Sequence, residues 1–149
     1  MGAVNDFDTW AMGEALKQAR QASECDEVPI GAVITLDERI IARGYNQTKT
    51  LNDATAHAEM IALTAASGLL NGRVLSQCSL YVTLEPCAMC AGAIFWSRIG
   101  RLIYAAQEPK HGYTRYEPDL LHPSTEVRSG ILARESAEML REFFNKKRK

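Results

Sequence analysis

The sequence has no apolar run of the roughly 20 residues that a helix needs to cross a bilayer. Its most apolar stretch, 87–96, has the length of a buried helix. The first residues also lack the basic, apolar, small-residue progression of a secretory signal, because Asp6, Asp8 and Glu14 interrupt it, so a cytoplasmic protein without membrane attachment is expected. No internal repeat, low-complexity tract or linker divides the chain. A single domain over 1–149 is the expectation, and that length buries about two-thirds of the unfolded surface without needing disulfides. With 46% hydrophobic and 23% charged residues, the composition is that of an ordinary globular protein.

Cysteine is scarce, and its four copies do not read as two disulfides. Cys87 and Cys90 stand three apart behind Pro86, a spacing that favours metal or redox chemistry in a chain without an export signal. Cys25 and Cys78 read as buried, reduced thiols. Net charge is −1 but uneven: Arg141, Lys146, Lys147, Arg148 and Lys149 against Glu142 make the last nine residues +4 and the remainder −5. A basic tail over 145–149 suits an arm that meets phosphates or a frayed, solubilising end.

The hydrophobic pattern predicts a helix from Asn5 or Asp6 to about Ser23, with Phe7, Trp10, Ala11, Ala15, Leu16 and Ala19 near one side. Ile30–Leu36 and Ile40–Tyr45 form a hairpin around polar Asp37, Glu38 and Arg39. Asn52, Asp53 and Thr55 offer caps for a helix over Ala56–Ser67 closed by Gly68. Ser79–Leu84 reads as a strand, Cys87–Ser97 as a helix with Pro86 as its first residue, and Ile94, Phe95 and Trp96 as core. Strands over Leu102–Ala105 and Glu126–Ser129 flank a long loop over 107–123, and Ile131–Phe144 closes the chain as a helix. Alternating elements imply an α/β sandwich with a partly parallel sheet and its ligands at the carboxyl ends of strands.

His57-Ala-Glu59 and Pro86-Cys87-Ala-Met-Cys90 carry the chemistry. His57, Cys87 and Cys90 supply three zinc ligands, leaving a fourth tetrahedral position for water, as in catalytic rather than structural zinc sites. Glu59, two residues from His57, is placed to carry protons without binding the ion. Three alternatives compete: a thioredoxin-like redox pair, a structural zinc completed by Cys25, Cys78, His111 or His122, and a merely capping His57 beside a surface Glu59.

The two motifs resemble the signature of zinc-dependent nucleoside and nucleobase deaminases. Over nearly the whole chain the text is similar to the bacterial tRNA adenosine deaminases: Glu27-Val-Pro-Ile-Gly-Ala32, Asn46, Thr55-Ala-His-Ala-Glu59, Tyr81-Val-Thr-Leu-Glu-Pro-Cys87, Cys90-Ala-Gly-Ala93, Ser97-Arg-Ile-Gly-Arg101, Gly130-Ile-Leu-Ala133 and Phe143-Phe144. The resemblance implies a three-layer, cytidine-deaminase-like α/β fold with a central mixed five-stranded sheet flanked by helices. It implies hydrolytic conversion of adenosine to inosine at the wobble position of a tRNA anticodon loop, by a homodimer with one Zn²⁺ per subunit. It assigns His57, Cys87 and Cys90 to the metal, Glu59 to catalysis, and Asn46, Ala58 and Leu84 to the substrate; without it Asn46 reads as a turn residue. Lys110, Arg115, Lys146, Lys147 and Arg148 are the candidate RNA contacts. The chain departs from the family pattern at Lys110-His-Gly-Tyr-Thr-Arg-Tyr116, where small residues are usual, and this loop suits base stacking or, equally, a dimer seam or core cover. A deaminase of free guanine or cytosine, and a nonenzymatic zinc-stabilised RNA-binding protein, are the rival functions.

Overall fold

A computed structural model describes residues 5–148. The first helix, α1 (Asp6–Glu24), is capped by Asn5, whose side chain accepts from the Asp8 amide at 2.9 Å while Asp8 accepts from the Asn5 amide. This reciprocal box satisfies two of the donors that a helix start leaves free. Strands β1 (Gly31–Leu36) and β2 (Arg39–Tyr45) form the predicted hairpin, with Asp37 and Glu38 both at positive φ, as a two-residue turn between twisted strands requires. Next come α2 (Ala58–Leu70), β3 (Ser79–Leu84), α3 (Ala88–Ser97), β4 (Arg101–Ala106), β5 (Glu126–Ser129) and α4 (Ala133–Lys147).

The five strands form one mixed sheet in the order β2-β1-β3-β4-β5. β1 is antiparallel to both neighbours, while β3, β4 and β5 are parallel. Four strands therefore run one way and only β1 runs the other. The carboxyl ends of β2, β3 and β4 thus share one edge with the start of β1. Helices α2 and α3 cover one face over Ile34, Leu80, Val82, Ile94 and Leu102; α1 and α4 cover the other over Val33, Tyr81 and Ile103. Gly44 allows α2 to lie close on β2, since a Cβ there would stand 2.5 Å from the Ala58 carbonyl oxygen.

Several expectations need correction. Pro86 and Gly68 do not take their predicted places: Cys87 is the N-cap of α3, and α2 runs past Gly68 to Asn71, which takes the left-handed cap at φ 54°. His57, not Asn52, Asp53 or Thr55, caps α2; Asp53 accepts from the Thr55 amide and hydroxyl within the preceding turn. Trp96 is not core, being 74% exposed, because it falls on the outer side of α3 while smaller neighbours face the sheet. Cys25 is exposed beyond α1, whereas Cys78 is buried. The tail is not frayed from 145: α4 continues through Lys147, leaving the last residue, Lys149, outside the described residues.

An ion pair on a fully buried carboxylate ties α1 to the sheet. Fully buried Asp8 accepts from both guanidinium arms of Arg101 at 3.0 and 2.9 Å and from the Tyr81 hydroxyl at 2.5 Å. Burial alone raises the Asp8 pKa, but the hydrogen bonds from Arg101 and Tyr81 and the guanidinium charge outweigh it and hold the carboxyl below its usual range. Its stabilisation is present above the unfolded carboxylate pKa of about 3.9 and disappears as pH falls through the lower folded value. Asp8→Ala strands a cation and a buried hydroxyl, so chemical denaturation at pH 7 should show a loss of about 3–5 kcal/mol, shrinking as the pH is taken below 4.

Candidate metal centre and substrate pocket

The two motifs meet because each lies at a helix start on the same sheet edge. His57 and Cys87 are the N-caps of α2 and α3, and Cys90 is fully buried one turn into α3. His57 Nδ1 stands 3.5 Å from Cys90 Sγ and 3.7 Å from Cys87 Sγ, with all three donor atoms within 4.8 Å of one another. A tetrahedral zinc with bonds of about 2.05 Å to nitrogen and 2.3 Å to sulfur has N···S edges of about 3.6 Å. The donor atoms fit that ion. Among the described residues no fourth His, Cys, Asp or Glu joins the group, which removes the structural-zinc alternative. Cys78 is in the core, His122 bonds Ser124, and His111 lines the adjoining cavity.

The electrostatics of the metal-free centre follow from burial and proximity. Hydrogen bonding from Cys90, joined by the His57 ring, brings Cys87 down to about 3, so it is a thiolate. The same contact with Cys87, with burial, drives Cys90 upward. The Cys87 thiolate raises His57. One sulfur is thus already charged, and the second must lose its proton when metal binds. Glu59 is 4% exposed, and desolvation pushes its carboxyl up to about 7. A carboxyl poised near neutrality both takes and gives protons, and a nearby cation draws it toward the ionised, accepting form.

A cavity of about 540 Å³ opens over this centre, lined by Ile30, His57, Glu59, Leu84, Cys87, Ala88, His111 and Tyr116 among others. A smaller space of about 170 Å³ shares Ile30, His57 and Glu59 with it and adds Val28, Asn46, Thr48 and Ala58. All three predicted substrate positions, Asn46, Ala58 and Leu84, therefore face the space beside Glu59. Asn46 is buried at the end of β2, and its amide makes only two long hydrogen bonds, donating to the Val28 carbonyl and accepting from the Thr48 amide, each 3.4 Å. That leaves it bonding capacity toward the cavity.

The cationic positions are less uniform. Lys110 is exposed, and Arg115 turns back to donate to the carbonyls of Pro109 and Lys110. Lys147 pairs with Asp26 at 2.5 Å, and Lys146 faces a groove against α1. Arg148, with Arg141 and Asn145, lines a cavity that shares a wall residue, Leu84, with the main one. The 110–116 loop is divided: Tyr113 covers the core in edge contact with Tyr104, while His111 and Tyr116 line the cavity. Two buried carboxylates escaped sequence reasoning. Glu27 accepts from Lys49 and Thr50 amides and the Thr50 hydroxyl, tying down the loop that leads to His57; Glu85 does the same for the loop after β4. Both lie inside the segments that carry the family resemblance, but a lone glutamate reads as surface charge until its distant partners are seen.

The model of the cytidine and deoxycytidylate deaminase zinc-binding region matches residues 5–106. The chain belongs to this family. A tRNA-specific adenosine deaminase from Agrobacterium fabrum is 50% identical over 94% of the chain and 95% of its own length, and one from Bacillus subtilis is 42% identical over 95% and 91%. Among solved structures, one from a study of A-to-I editing by tRNA:A34 deaminases at the wobble position of transfer RNA superposes with a TM-score of 0.83 at 49% identity, covering 89% of this chain and 99% of that one. A guanine deaminase from Nitrosomonas europaea gives 0.78 at 26%, over 91% and 83%. Family membership makes the His-Cys-Cys group a zinc centre with one ion per chain. Zinc added to metal-free protein at pH 7 should release roughly one to two protons from Cys90 and His57, read by calorimetry in buffers of different ionisation enthalpy, and Cys90→Ala should lose stoichiometric zinc.

Proposed function

We propose that the chain is a single-domain, cytoplasmic enzyme that hydrolytically deaminates adenosine to inosine at the wobble position of a tRNA anticodon loop. The observation that carries this reading is the buried Glu59 carboxylate beside the three zinc donors, where it lines both the larger cavity with Leu84 and the smaller adjoining space with Asn46 and Ala58. The tRNA-specific relatives supply the substrate class. An unpaired loop suits such a pocket, because a base there enters without the opening of a duplex.

His57 Nδ1, Cys87 Sγ and Cys90 Sγ would hold zinc, which when bound makes water a nucleophile near neutral pH and withdraws charge from it. Glu59 accepts the water proton on its carboxylate and delivers it to the ring nitrogen beside the amino-bearing carbon. It then takes the second water proton from the hydroxyl newly bonded to that carbon and passes it to the departing amino group, so that one water enters and one ammonia leaves. Asn46 orients the base by hydrogen bonds to its edge, and the apolar walls Ile30, Ala58 and Leu84 exclude bulk water from the proton path. Arg148, near the cavity, and Lys110, on the outer loop, meet loop phosphates; Lys146, Lys147 and Arg115 are the weaker contributors, since the last two already have partners.

The homodimer of this reading uses the outer face of α3. Met89, Ala93 and Trp96 recur at helical spacing, with Trp96 stacked edge-on against Phe95, which packs on His122. A largely solvent-exposed tryptophan on such a face is a typical interface anchor. Trp96→Arg should shift sedimentation toward monomer at micromolar protein while leaving zinc content unchanged.

An anticodon stem-loop with adenosine at the wobble position, offered to the zinc-loaded protein beside free adenine, guanine and cytosine, tests the substrate. Inosine in the stem-loop, with little ammonia from the free bases, is the expected result; ammonia from guanine or cytosine without inosine in RNA would assign the enzyme to nucleobases. Arg148→Gln should lower the slope of log affinity against log salt by about one.

A further inference from the structure

Glu85 is 4% exposed, and the hydrogen bonds its carboxylate accepts all come from the loop that follows β4. Oε1 accepts from the Glu108 amide at 3.0 Å; Oε2 accepts from the Thr114 amide at 2.9 Å and the Thr114 hydroxyl at 2.7 Å. Neither Lys nor Arg pairs with it among the described salt bridges. A buried carboxylate held by three donors and no cation is costly unless every donor stays in place, so the loop cannot leave without exposing a charge to an unsatisfied site.

The loop is shaped around this group. Gly112 pairs in β fashion with Cys87, and a Cβ on Gly112 would overlap the Glu85 carboxylate. Tyr113 donates its amide to the Pro86 carbonyl at 2.9 Å and buries its ring against Tyr104. Between and beyond these fixed points, His111 and Tyr116 project into the wall of the 540 Å³ cavity, both with exposed surface. They form an aromatic rim above a floor made by His57 and Glu59.

We propose that Glu85 is a positioning residue: its carboxylate latches the 108–116 loop so that His111 and Tyr116 stand as a preformed stacking rim for the nucleotide next to the reacting base. The rim holds the polymer rather than the reacting atoms, so losing it raises KM and spares the chemical step. The substrate arm of this inference rests on the RNA reading above; the latch itself does not.

In Glu85→Gln the amide nitrogen must face either the Glu108 donor or the two Thr114 donors, and the latch opens. Thr114→Val removes the hydroxyl contact from a residue distant from the metal ligands, and Thr114→Ser keeps it. With zinc-loaded protein, hydrogen exchange at the Glu108 and Thr114 amides should accelerate at least about tenfold in Glu85→Gln and less in Thr114→Val, and remain native in Thr114→Ser. With the stem-loop substrate, KM should rise about tenfold in Glu85→Gln and in Tyr116→Ala, with kcat within about twofold and zinc content unchanged. Tyr116→Ala should leave the exchange rates native. Unchanged exchange in both Glu85→Gln and Thr114→Val would overturn the latch whatever the substrate. Faster exchange with unchanged KM, or a collapse of kcat in Thr114→Val, would overturn the rim while leaving the latch standing.

Discussion

The antiparallel pairing of β1 with β3 is the constraint on which the rest depends. Ala32 to Thr35 pair with Val82 to Ser79, and the Gly31 amide donates to the Thr83 hydroxyl at 3.1 Å. Because β2 is antiparallel to β1 in turn, β2 and β3 run the same way and end at the same edge. That places Asn46 at the end of one strand beside Glu85, Pro86 and Cys87 at the end of the other. Both following helices then begin over a single point. His57 and Cys87 are separated by 30 residues of sequence, yet their donor atoms are 3.7 Å apart.

Helix starts are suited to this task for an electrostatic reason. Their free N–H groups and partial positive charge favour thiolate at Cys87, the N-cap of α3, while the N-cap positions of His57 and Cys87 leave those side chains clear of the helix body. The same edge buries Glu59 among apolar walls. Two opposing effects are thereby built into one site: hydrogen bonding from Cys90 and His57 lowers the Cys87 thiol, and desolvation raises the Glu59 carboxyl. Outside this point, buried carboxylates do a mechanical job. Glu27 holds the loop that brings Thr48 to the smaller space, and Glu85 holds the loop that brings His111 and Tyr116 to the larger cavity.

Much of this was legible in the sequence where cause and residue lie close together. The spacing of Cys87 and Cys90, the Asn5 cap, the hairpin around Asp37 and Glu38 and the strand Ser79–Leu84 are local signals with local physics. The caps at His57 and Asn71 were not legible, because Asp53 and Gly68 are better intrinsic choices and tertiary packing overrode them. Glu27 and Glu85 could not be distinguished from surface charges, since their donors lie 22 to 29 residues away. Trp96 was misread for a related reason: large apolar side chains default to core, and only the placement of the sheet reveals which side of the helix faces out. The resemblance to known deaminases supplied what local chemistry did not, namely the base and the polymer.

The central claim is that Glu59 moves protons beside the metal without holding it. Single-turnover deamination by Glu59→Gln, with zinc content and stem-loop affinity measured on the same preparation, tests it most directly. The account predicts native zinc and affinity with the chemical step slowed by at least about a thousandfold, in line with the loss of a general acid–base. Undiminished single-turnover rate, or loss of the ion along with the rate, would contradict it.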